Sequence, residues 1–295
     1  MRKLTTFALM FAVALGISIT LGFILSLLGV TPYLQERGIN YGGLLIFCLV
    51  MGFAGSTVSL FMSKWMAKRA YGIELVDPTR ASGEMRWLYD TVRRLADQAG
   101  LPKTPEVGFY SSPELNAFAT GPTKGDALVA VSTGLLSSMS RDEVEGVLGH
   151  EVAHIASGDM VRMSLMQGVV NTLILFAARI VASIIVANMD ERQRHSSRFM
   201  ITMLLEMVFG VLGMMVVNWY SRVREFRADS GGASLAGRHK MIAALEALRD
   251  RSRVVDNRSP QLAAFKIFGG GGGFSRLFMT HPPIEARLDS LRRGF

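Results

Sequence analysis

SRDEVEGVLGHEVAHIASG, residues 140–158, opens on Ser140 with Glu143 three positions later and closes on Gly158, the punctuation of a single helix. Within it His150 and His154 are four apart, so on a helix both imidazoles project from one face and can bind one Zn²⁺. Glu151, next to the first histidine, then reaches water at the metal as a general base. Glu151 is the candidate catalytic residue, and the chemistry expected of the pattern is hydrolysis of a peptide bond. A catalytic zinc needs a third protein ligand and an open position. The extended pattern His-Glu-x-x-His-x-x-Gly-x-x-His cannot supply it, because Ser157 and Met160 stand at its last two fixed positions.

Outward from this helix the chain turns apolar. Of 295 residues 49% are hydrophobic, and the mean hydropathy is +0.30, values that point to a membrane protein. Residues 7–30 and 41–62 carry no charge, and residues 165–187 and 199–220 carry one each, Arg179 and Glu206. Each stretch is long enough to cross roughly 30 Å of hydrocarbon, so four transmembrane helices are expected. Met1-Arg2-Lys3 ahead of an apolar run raises a cleaved signal peptide, but the run is too long and lacks a small-x-small cleavage site. Basic residues set the orientation. Arg2 and Lys3 precede the first span, Lys64, Lys68 and Arg69 follow the second, and Arg222, Arg224 and Arg227 follow the fourth, so both ends and the soluble parts face the cytoplasm. The net charge of +8 is largely this bias, which removes the reason to expect nucleic acid. Cys48, the single cysteine, lies within the second span, so no internal disulfide and no cysteine metal site can form.

Four segments follow: an N-terminal transmembrane hairpin (1–69), the first part of a catalytic domain (70–162), a second hairpin (163–220) and the remainder of the catalytic domain (221–295). In the first catalytic part, Trp87, Leu88, Val92, Leu95 and Ala99 recur at helical spacing. Residues 106–110, 115–120 and 127–133 read as short strands of an antiparallel meander. A Leu/Ala-rich helix is expected near residues 235–249, and the five glycines at 269–273 read as a linker.

The third metal ligand has to come from a distant residue. Only His195, His239 and His281 remain among the histidines, and distant glutamates compete with them. The third and fourth spans are nearly equal in length and form a hairpin whose ends return to one membrane surface. That brings Glu225, five residues past the fourth span, toward His154 and leaves His195 on the opposite side. Asp229, one helical turn on, can accept the second ring N–H of a ligand histidine; both acids can instead pair with Arg222, Arg224 or Arg227. The same hairpin sets Arg179 and Glu206 at matching depth, where an ion pair would fix its register.

The segments Gly149-His-Glu-Val-Ala-His154, Ser221-Arg-Val-Arg-Glu-Phe-Arg-Ala-Asp229 and Thr280-His-Pro-Pro283, set among four apolar stretches, resemble the HtpX membrane proteases, relatives of the CAAX prenyl endopeptidase. The resemblance covers essentially the whole chain. It implies a mainly α integral membrane protein with a gluzincin-type α+β protease domain, one Zn²⁺ on His150, His154 and Glu225, and Glu151 as base. It also implies a bacterial inner-membrane location, a cytoplasmic active site, and a role in quality control of damaged membrane proteins. Substrate is expected to add as a strand along residues 115–120, with Asn116 holding a carbonyl. His281 is expected to stabilise the oxyanion with Arg287 nearby, as similar proteases set a basic group there. The competing expectation is a membrane scaffold or chaperone-like module that binds unfolded segments without cutting them; a transporter would need charges spread over several spans.

Overall fold

The computed structural model describes residues 16, 23, 27, 40–187, 189–256 and 281–294. The first apolar stretch, residues 7–30 apart from 16, 23 and 27, and the glycine run at 269–273 lie outside them. In chain order the elements are α1 (Tyr41–Tyr71), β1 (Glu74–Leu75), α2 (Gly83–Gln98), β2 (Glu106–Tyr110), β3 (Ala117–Thr123), β4 (Asp126–Ser132), α3 (Thr133–Ser138), α4 (Arg141–Ser157), α5 (Asp159–Ala187), α6 (Glu191–Ala236), α7 (Arg238–Asp256) and α8 (Ile284–Arg293). They divide into two compact units: residues up to 59 with 162–217, and residues 60–161 with those from 218 on.

Among the described residues three helices are long and apolar enough to cross a membrane, within Tyr41–Tyr71, Asp159–Ala187 and Ser196–Ala236, and the first unit holds most of their apolar length. They correspond to the second, third and fourth of the expected spans. Ile46, Val50, Phe199, Met203 and Met207 are each more than half exposed, more apolar surface than water tolerates and what lipid contact requires. The two charges inside these helices meet. Arg179 Nη1 donates to Glu206 Oε1 at 2.6 Å, and its guanidinium lies 5.2 Å from the centre of the Phe47 ring. The connection expected over residues 188–198 is shorter, because α6 already begins at Glu191.

The second unit is built on a four-stranded sheet. Its order is β1-β2-β4-β3, with β2 and β4 parallel and the other pairs antiparallel. The expected antiparallel meander is therefore wrong: the sheet is mixed. The cause lies in composition. Ala127, Leu128, Val129, Ala130 and Val131 of β4 are all buried, as in a strand covered on both faces, which takes a central position. β3 contains Gly121 and Pro122 at a break in register; proline cannot donate to a ladder, so β3 is confined to the edge. Against the sheet pack Leu88, Val92 and Leu95 of α2 and Val144, Leu148 and Val152 of α4.

The ends of α4 follow from local chemistry. Ser140 N donates to Glu143 Oε2 at 2.7 Å and Glu143 N donates to Ser140 Oγ at 3.4 Å, closing a capping box. Gly158 ends the helix at φ 74°, a left-handed conformation that costs glycine little.

Candidate metal centre

α4 and the C-terminal part of α6 supply the site. Glu225 and Asp229 are one turn apart on α6, which continues unbroken beyond the apolar stretch to Ala236. Close approach of the two helices needs Gly232: a Cβ there would lie 2.9 Å from His150 N. His150, His154 and Glu225 are buried, and one ligand atom from each lies within 4.8 Å of the other two. His150 Nε2 and His154 Nε2 are 3.1 Å apart. Glu225 brings Oε2 to 3.5 Å from the first and Oε1 to 3.4 Å from the second.

These donors fit a divalent cation. Metal–ligand bonds of about 2.0–2.1 Å in a tetrahedron separate donor atoms by about 3.3 Å, close to all three separations. Glu225 Oε1 is buried without a hydrogen-bond partner, an arrangement that is costly unless something else meets the charge. Burial alone would push the His150 imidazole down, yet the Asp229 and Glu225 carboxylates override it and carry it up to about 9. His154 is likewise depressed by burial and raised beyond it by Asp159 and Glu225. A pocket whose histidines bind protons so avidly has an excess of negative charge that a cation can satisfy instead.

The other nitrogen of each imidazole is held by a carboxylate. His150 Nδ1 is 2.9 Å from Asp229 Oδ1, and His154 Nδ1 is 2.7 Å from Asp159 Oδ2. A neutral imidazole that donates Nδ1–H to its acid would leave Nε2 to a metal, at both histidines. Asp229 is itself gripped by Arg287, whose Nε and Nη2 donate to Oδ2 at 2.7 Å and Oδ1 at 2.6 Å. Arg287 Nη1 stands 3.8 Å from Glu225 Oε2. His281, mostly exposed, reaches the same oxygen with Nδ1 at 2.8 Å.

Beside the histidines opens a cavity of about 140 Å³, lined on its polar side by Asn116, Glu151, His281 and Arg287. Its apolar wall includes Leu135, Val147, Met241, Ala244, Leu245 and Leu248. Asn116 lies just before edge strand β3, its backbone N–H donating to Ser132 Oγ at 3.2 Å. All the candidate residues thus line the cavity or flank its donors. Asp159 and Gly232 were not singled out from sequence. The signal for Asp159 was present, an acid immediately after the helix-stopping Gly158 and five residues from a ligand histidine.

A helical membrane scaffold with a buried His-His-Glu cluster and a glutamate beside it defines a metallopeptidase. The profile of Peptidase family M48 matches residues 82–294, and the chain belongs to that family. It is 52% identical over 287 residues to the Protease HtpX homolog of Thiobacillus denitrificans, covering 96% of this chain and 97% of that protein. It is 50% identical over 290 residues to Protease HtpX of Shewanella loihica, covering 96% and 98%. Ste24p of S. mikatae, known from a crystal structure, shares the fold with a TM-score of 0.58 at 17% identity, over 97% of this chain and 66% of that one. The chain is an HtpX-type, multi-pass membrane metalloprotease acting on peptide substrates.

Proposed function

We propose that this protease is a zinc endopeptidase of the bacterial inner membrane that cuts misfolded or damaged membrane proteins on the cytoplasmic side, in protein quality control. The observation that carries the enzymatic part is the buried Glu225 carboxylate, whose Oε1 and Oε2 lie 3.4 Å and 3.5 Å from the Nε2 atoms of His154 and His150, beside a cavity that Glu151 also lines. His150, His154 and Glu225 would hold the zinc, which when bound supplies the Lewis acidity that activates water and polarises the scissile carbonyl. Glu151 takes the proton from the attacking water on its carboxylate and returns it to the leaving amine. Asp229 and Arg287 keep His150 in register, and Arg287 Nη1 offers positive charge, with His281 a ring N–H, to the developing oxyanion. An extended substrate adding to edge strand β3 would run past Asn116, which is suited to hold a backbone carbonyl, and seat a side chain against the apolar wall. Backbone pairing of this kind tolerates many sequences, as quality control demands.

The cytoplasmic assignment rests on the basic residues that flank the apolar stretches. The test is cleavage of an unfolded model membrane substrate by detergent-purified wild type and Glu151→Gln, with zinc measured on both. Loss of cutting by about 10²–10⁴-fold with zinc retained is expected of a general base. Equal cutting by both would refute the assignment of Glu151. Protease digestion of inverted and right-side-out vesicles tests the side: the second unit should be accessible only in the inverted ones.

A further inference from the structure

Two histidines on one metal would each need an orienting partner, and the two partners come from different helices. Asp229 of α6, one turn beyond Glu225, serves His150. His154 is served by Asp159, which no part of the motif contains. The geometry arises from the helix stop. Gly158, at φ 74° and ψ 32°, turns the chain at the end of α4, and Asp159 is the first residue of α5. Its side chain is thereby directed back over the last turn of α4, where Oδ2 lies 2.7 Å from His154 Nδ1. Asp159 is 4% exposed, so this carboxylate is withdrawn from water. Arg224, the neighbour of Glu225 on α6, stands 4.0 Å from the same oxygen with Nη1 and 3.9 Å from Glu225 Oε1 with Nη2. The two rings are nearly perpendicular, at 87° with centroids 4.6 Å apart, so holding one does not hold the other.

We infer that Asp159 is a positioning residue of the metal centre, fixing the Nδ1–H tautomer and the ring plane of His154 so that Nε2 faces the metal. The inference rests on the ligand set proposed above. A carboxylate bound to a ligand imidazole orients it and raises its basicity, and loss of such a partner typically weakens metal affinity about 10–100-fold. The alternative is that Asp159 serves only as an acid in the first turn of α5, where it favours the helix terminus. That role touches folding, not the metal.

The test uses the full chain in detergent, in a Glu151→Gln background so that proteolysis does not enter. Zinc affinity is read by competition with a chromophoric chelator for the parent, Asp159→Ala, Asp159→Asn, Asp229→Ala and His150→Ala, and the visible spectrum of the Co²⁺-loaded forms is recorded. Asp159→Ala is expected to bind zinc about 10–100-fold more weakly, comparably to Asp229→Ala. Asp159→Asn, which keeps an acceptor but loses the charge, should fall between parent and alanine, and the Co²⁺ bands should shift in both variants. If Asp159→Ala fails to fold, the isosteric asparagine variant decides. Affinities within twofold of the parent and unchanged Co²⁺ spectra for the Asp159 variants, with zinc lost from His150→Ala, would overturn this inference alone. Zinc retained at parental affinity by His150→Ala would overturn the ligand set and this inference with it.

Discussion

The Glu225 side chain is held on several sides: it is fully buried, touched by His281, and opposite two imidazoles. Replacing it with alanine leaves those imidazoles without their shared acid, and zinc content of the purified protein should fall to background, as it should for His150→Ala. The same charges give the metal-free protein a distinctive pH response. His150 is raised from 6.5 to about 9 on folding, so its contribution to stability is fully present below pH 6.5 and is lost as pH rises through 9. Thermal unfolding of chelator-treated Glu151→Gln should therefore shift to lower temperature between pH 6.5 and 9.5, while the zinc-loaded form, whose imidazoles are already deprotonated, should lack that decline. Zinc binding at pH 7.5 should release protons, measurable by titration calorimetry in buffers of different ionisation enthalpy.

Among the elements, α7 lines the cavity beside the metal site. Met241, Ala244, Leu245 and Leu248 share one face of it and form much of the apolar wall, and Ala244 is fully buried. Leu248→Trp, at a partly buried position of the same wall, would fill space that a substrate side chain is proposed to use. Mass-spectrometric mapping of cleavage sites should show large apolar residues lost from one position beside the cut and small ones gained, with zinc content unchanged. In the other unit, α5 and α6 are tied by Arg179 and Glu206. Alanine at either position strands a charge among apolar helices, and a double-mutant cycle on thermal stability should return a coupling of about 1 kcal/mol. This pair was readable in advance because both residues count from the same turn. Strand order was not: the alternation in residues 106–133 identifies strands but is silent on which neighbour each chooses, and the mixed sheet arises from β4 being apolar on both faces.

At the scale of the whole molecule, metal and fold are coupled. A site assembled from α4 and α6, with partners from α5 and α8, exists only when those helices are docked, so the metal binds the folded state and stabilises it. At free zinc 1,000-fold above its dissociation constant the gain is about 4 kcal/mol, and chelation should lower the unfolding temperature of the catalytic unit accordingly. What the sequence determined by itself was local or counted along the chain. His150 and His154 share a face because they are four apart, Ser140 and Glu143 cap their helix, apolar stretches reach a membrane's thickness, and Glu225 follows a hairpin of matched arms. Contacts that depend on how separate segments dock were left to the tertiary structure. It decided that β4 is central and β3 an edge, and that Gly232 lets α6 approach His150. It also decided that Asp159, turned back by Gly158, meets His154, because burial and approach distance are properties of the packed chain and not of any one segment.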